Sequence, residues 1–87
     1  PLERFEIEQL KLVAIVSGIS TPRAMVQAPN GKGYIIRRGT PIGKNGGRVA
    51  RIKSDEVIVE EEYLDGNARR VLNRITVRLS TEPMEME

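Results

Sequence analysis

Cysteine and histidine are both missing from these 87 residues, and so is tryptophan. Without Cys there is no disulfide framework, no thiolate nucleophile and no Cys-based metal site. Without His, the commonest general base and the commonest metal ligand go together. Ser17, Ser20, Thr21, Thr40, Ser54 and Thr76 therefore have no imidazole to activate them, which leaves a lysine base as the remaining route to a catalytic hydroxyl. Aromatic side chains are scarce as well, limited to Phe5, Tyr34 and Tyr63. The longest apolar run, Leu12 to Val16, falls far short of the roughly 20 residues that span a membrane. The chain thus reads as a soluble, non-enzymatic module that needs no cofactor and no metal.

What is present is the composition of one small folded domain, 39% hydrophobic and 30% charged. The net charge of +2 conceals a strong segregation. Lys32, Arg37, Arg38, Lys44, Arg48, Arg51 and Lys53 follow one another without an acid between them, and Asp55, Glu56, Glu60, Glu61, Glu62 and Asp65 then follow without a base. Arg69, Arg70, Arg74 and Arg78 complete the pattern. Two readings are open: adjacent antiparallel strands neutralise one another across a sheet, or the basic stretch forms a binding face.

Residues 1–9 read as an N-terminal arm anchored by Phe5 and Ile7, residues 10–79 as a single domain, and residues 80–87 as a flexible, acidic C-terminal tail. Leu10 to Gly18 places Leu10, Leu12, Ala14 and Val16 on one face and Val13 and Ile15 on the other, as in a strand buried on both sides. Its β-branched residues favour a strand over a helix. Arg23 to Ala28 is a second strand, ended by the Pro29-Asn30-Gly31 turn, and Gly33 to Arg38 is a third. Gly39 to Gly47 reads as a loop whose single aliphatic residue, Ile42, plugs the core. Arg48 to Lys53 turns through Ser54-Asp55 into Glu56 to Tyr63, with Val57 and Val59 on one face and Ile58 on the other. After Asp65-Gly66-Asn67, Val71, Ile75, Val77 and Leu79 alternate with Leu72, Arg74, Thr76 and Arg78, and Asn73 is the polar residue of the inner face. About six or seven short strands with regular turn signals predict an all-β fold, a small antiparallel β-sandwich or partly open barrel.

The glycines between Gly31 and Gly47 shape the backbone rather than cradle a phosphate, because a strand and not a helix follows them. Glu60, Glu61 and Glu62 alternate between two faces of one strand, so they are expected to face solvent or pair across strands rather than form a catalytic couple. Basic strands beside Tyr34 leave an RNA-binding β-barrel as an alternative function. The shortage of rings to stack bases weighs against nucleic acid.

One stretch carries more. Leu10-Lys-Leu-Val-Ala-Ile-Val16, then Ala24-Met-Val26, then Asn30 to Ile52 with its Gly-Lys-Gly-Tyr strand, Gly39, Ile42-Gly43 and Gly47-Arg-Val49, resembles the PilP family of type IV pilus assembly lipoproteins. The related inner-membrane subunit of type II secretion matches this glycine pattern less well. The resemblance implies a periplasmic β-sandwich that links the inner-membrane alignment proteins to the outer-membrane secretin. It also implies a lipidated Cys and a linker that binds the inner-membrane partners, both upstream of Pro1. The role left to these residues is docking to periplasmic domains of the secretin. The strand-loop-strand unit is the expected surface, with Arg37, Arg38, Lys44, Arg48 and Arg51 supplying charge and Tyr34 and Ile42 apolar contact. Tyr34 has a second reading, as packing in the core.

Overall fold

The alternation of apolar and polar residues becomes two antiparallel sheets in the computed structural model, which describes residues 2–18 and 20–80. Strands β1 (Lys11–Val16), β2 (Arg23–Gln27) and β3 (Gly33–Arg37) form a three-stranded sheet in that order. Strands β4 (Pro41–Ile42), β5 (Gly47–Ile52), β6 (Glu56–Leu64) and β7 (Arg70–Arg78) form the second, also in chain order. The fold is therefore an all-β sandwich, not closed into a barrel, and its four-stranded sheet includes a two-residue strand within the predicted Gly39–Gly47 loop.

Val57 and Val59 of β6 and Val49 of β5 face Leu12, Ala24, Val26 and Ile36 of the other sheet, and together these side chains make the core. Full burial of one such aliphatic side chain contributes about 1.5–3 kcal/mol. The corner between the sheets is made at Gly39, whose φ of 90° suits a residue without a Cβ. Gly39 N donates to Val49 O at 2.7 Å, and Val49 N donates to Thr40 O at 3.0 Å. At the opposite side a parallel bridge joins Leu12 to Leu79, and Ser80 N donates to Leu12 O at 2.8 Å. The predicted tail from residue 81 onward lies outside the described residues.

Several expectations are corrected. Strand β1 is not buried on both sides: a bulge between Leu12 and Ala14 resets its alternation, so Leu12 and Ile15 turn inward while Val13, Ala14 and Val16 are exposed. Strand β5 has the same device between Val49 and Arg51, which turns Val49 and Ile52 to the core. Asn73 stands on the inner side of β7 opposite Glu61, but this end of the hairpin extends past β5 and Asn73 is exposed. The leading segment forms two short 3-10 turns, Leu2–Arg4 and Ile7–Gln9. Leu2 and Ile7 are its buried residues, and Phe5 packs against the core half-buried.

Glu61 differs most from expectation. It is only 7% exposed, because it continues the inward phase of Val57 and Val59. Its side chain lies under the β4–β5 turn, where a Cβ at Gly47 would stand 3.3 Å from its Cγ and one at Gly43 3.8 Å from its Oε2. Two glycines thus make room for one glutamate. No fully buried side-chain nitrogen or oxygen among the described residues lacks a partner.

Candidate docking surface

The charge pattern resolves through sheet order. Strand β6 lies between β5 and β7, so its outward carboxylates have basic neighbours on both sides. They are engaged by β7: Arg74 Nε lies 3.4 Å from Glu60 Oε1, and Arg70 Nε 3.1 Å from Glu62 Oε1. At the β5–β6 turn Lys53 Nζ meets Glu56 Oε1 at 3.2 Å. Mutual neutralisation is thus real, but it consumes Arg70 and Arg74 of β7 and, from the basic stretch, Lys53. Arg37, Arg38, Lys44, Arg48 and Arg51 are all exposed and have no ion pair among the described residues.

These cations are held on different elements. Arg38 leaves the end of β3 and, with Pro22, Ala50, Arg51 and Ile52, lines an open concavity of about 310 Å³. Arg51 also borders a second concavity of about 390 Å³, which reaches across the sheet past Lys53, Ile58 and Glu60 to Arg74 and Thr76. The two hollows share Ala50 and Arg51, the residues that follow Val49 at the β5 bulge. Arg48 stands on the same outer face, opposite Glu60, and its Nη1 donates to Gly39 O at 3.2 Å, which braces the corner between the sheets. Lys44 is in the β4–β5 turn, and Arg37 is on the outer face of the other sheet, opposite Arg23.

The two expected apolar contacts lie elsewhere. Ile42 is 2% exposed and belongs to the core, so it anchors the loop and offers a partner nothing. Tyr34 is half-buried and packs against the core from β3, opposite Val26. The large apolar side chains that do reach the surface, among the described residues, are Val13, Val16, Met25 and Ile35 of the three-stranded sheet and Tyr63, Leu64 and Leu72 near the end of the β6–β7 hairpin. Strand alternation carried the missed signal: Met25 and Ile35 are out of phase with the inward Ala24, Val26 and Ile36.

Chemically, this surface can hold carboxylates or other anions. Its single acid in the larger hollow, Glu60, is already paired with Arg74. No group of acids among the described residues is arranged to hold a metal ion.

The family described as "Pilus assembly protein, PilP" matches residues 1–79. A domain of the type IV pilus biogenesis lipoprotein PilP from Pseudomonas aeruginosa PA01 superposes with a TM-score of 0.78 at 28% identity, over 90% of this chain and 88% of that one. The solution structure of PilP from Pseudomonas aeruginosa gives 0.76 at 27% identity, over 99% and 77%. A domain of the Neisseria meningitidis PilP pilot protein shares the fold, with a TM-score of 0.70 at 24% identity over 99% and 75%. No curated protein sequence matches.

Proposed function

Because this chain belongs to the PilP family of pilus assembly proteins, we infer that it is a non-catalytic periplasmic binding module that links the inner-membrane alignment complex of the type IV pilus machine to the outer-membrane secretin. Its partner is a folded periplasmic domain of the secretin, met around the corner between the sheets, where Arg38, Arg48 and Arg51 stand on the side of the four-stranded sheet and Arg37 on the outer face of the other. The inner-membrane partners and the lipid anchor are assigned to segments outside these residues, in keeping with the lipoprotein nature of the Pseudomonas relative.

The observation that carries this reading is the set of five exposed cations left without acidic partners while the neighbouring carboxylates are taken by β7. Such a set steers an acidic surface into contact and fixes its orientation. The RNA-binding alternative finds no stacking platform: Phe5 and Tyr34 pack on the core, and Tyr63 is on the opposite face of β6 from Glu60.

Titration of the ¹⁵N-labelled domain with the purified periplasmic region of its cognate secretin tests the proposal. Binding of micromolar order is expected, with amide shifts at Arg37, Arg38, Lys44, Arg48 and Arg51. Unchanged spectra at near-millimolar secretin would sink it.

A further inference from the structure

Strand β3 is the outer strand of its sheet, and its free edge is open where it matters. Arg37 N donates to Thr40 Oγ1 at 3.0 Å and Arg37 O accepts from Thr40 N at 3.0 Å, so the backbone groups of Arg37 point away from β2. Strand alternation then directs the N–H and C=O of Gly33 and Ile35 the same way, off the sheet. An edge of this kind is ordinarily blunted by proline, a bulge or a row of charges. Strand β7, the long outer strand of the other sheet, carries Arg70, Arg74 and Arg78, and the bulges are in β1 and β5. The stretch Gly33-Tyr34-Ile35 has none of these protections.

The face beside this edge is apolar at its centre and basic at its end. Met25 pairs with Ile35 across the sheet; they are 37% and 55% exposed, and with Ala14, Val16, Arg23 and Ala24 they line a shallow, mostly apolar hollow of about 190 Å³. One step along, Arg23 stands directly opposite Arg37, and neither has an ion pair among the described residues. Like charges opposite one another disfavour the sheet, and an incoming carboxylate turns that penalty into attraction. A second copy is a poor occupant, because this sheet carries Lys11, Arg23 and Arg37 and no acid at all.

We propose that the free edge of β3 is a strand-addition site for an extended acidic segment of a partner protein. The segment's backbone pairs with Gly33 and Ile35, one of its apolar side chains lies over Ile35 and Met25, and a carboxylate two residues away meets Arg37 with Arg23 behind it. This rests on the reading of the domain as a docking module and names the chemistry of what it docks.

The probe is a capped heptapeptide, Thr-Glu-Thr-Val-Thr-Glu-Thr, whose valine and two glutamates share one strand face, compared with its counterpart carrying lysine in place of glutamate. The acidic peptide is expected to shift the amides of Gly33 to Arg37 and to slow hydrogen exchange at Gly33 and Ile35. Ile35→Pro deletes the outward N–H without removing a bond to β2, and is expected to weaken the peptide at least about tenfold. Arg37→Glu keeps an exposed, foldable surface and should exchange preference from the glutamate to the lysine peptide, which keeps the test decisive if the proline variant does not fold. Absence of binding at millimolar peptide overturns the proposal, as do shifts centred on Arg38 and Arg51 with Ile35 undisturbed. If the wild-type domain binds the secretin region and both variants bind it equally well, the edge is not the dock and the inference fails while the functional reading stands. If the acidic peptide binds at the edge but the secretin does not bind, the functional reading fails and the strand-addition site stands.

Discussion

Gly43 lies against Ile7, so close that a Cβ on the glycine would stand 2.7 Å from Ile7 Cγ1. Gly43 N also donates to Leu2 O at 3.1 Å, so the leading segment is fastened to the loop after β4 by both a side chain and a backbone bond. Gly43 has a φ of 83°, which adds backbone strain to the steric conflict for any other residue. Gly43→Ala is therefore expected to cost about 2–4 kcal/mol. Denaturant unfolding of Gly43→Ala and of the Gly43→Ala/Ile7→Ala pair measures it. Removing the Ile7 branch should recover part of the loss that Ile7→Ala alone does not explain.

Gly47 provides a purely steric counterpart, since its Cβ would stand 2.6 Å from Ile42 O and 3.2 Å from Val59 Cγ1. Gly47→Ala should destabilise by about 2 kcal/mol or more, because backbone cannot move aside as a flexible side chain can. Gly46→Ala, with a φ of 70° and open space around it, should cost only about 1–2 kcal/mol of backbone strain. Equal melting temperatures for the two variants would contradict the close approach at Gly47.

Ile42 decides whether the loop is anchored or offered. Ile42→Ala removes a side chain enclosed by the core and is expected to cost about 2–5 kcal/mol in thermal or chemical unfolding. Under conditions where the variant is still folded, its secretin affinity should equal that of the parent. A selective loss of binding at unchanged stability would show that Ile42 reaches the partner after all.

The β6–β7 turn carries an avoidable strain. Ala68 has a φ of 58°, while Asp65 Oδ1 accepts hydrogen bonds from Asn67 N at 2.8 Å and Arg69 N at 2.9 Å. Ala68→Gly should stabilise the domain by up to about 1 kcal/mol, and Asp65→Ala should destabilise it by about 1–2 kcal/mol. Calorimetry of the two variants gives the sign of each change, and a lower melting temperature for Ala68→Gly would contradict the turn geometry.

The cations bordering the shared hollow contribute to association rather than to folding. Reversing both Arg38 and Arg51 to Glu should leave stability within about 0.5 kcal/mol, since neither has a structural partner. The same variant should associate with the secretin region roughly tenfold more slowly at low salt, with the difference shrinking as salt is raised. Surface plasmon resonance across an ionic-strength series separates the two effects, and salt-independent rates identical to the parent would refute the steering role.

Much of the sandwich was legible one residue at a time. Val57 and Val59 alternate with Ile58, Asn30-Gly31 and Asp65-Gly66 announce their turns, and Ile42 is the single aliphatic residue of a glycine-rich loop. Where reading failed, the cause was a neighbour distant in sequence. Leu10 to Val16 is apolar at nearly every position, so its alternation is ambiguous, and the bulge that turns Leu12 and Ile15 inward exists only through pairing with β2. Glu61 was in phase with the core, yet only the space left by Gly43 and Gly47 lets a glutamate occupy that position.

The sequence by itself determined the exclusion of histidine and cysteine chemistry, every strand but the two-residue β4, and the places where those strands turn, because these depend on side-chain identity and on residues adjacent along the chain. Tertiary structure alone decided which charges are spent and which remain. With β6 between two basic strands, its carboxylates went to Arg70 and Arg74, and Arg38, Arg48 and Arg51 were left facing water. Coulomb attraction depends on distances across strands, and those distances arise only when the sheet is assembled.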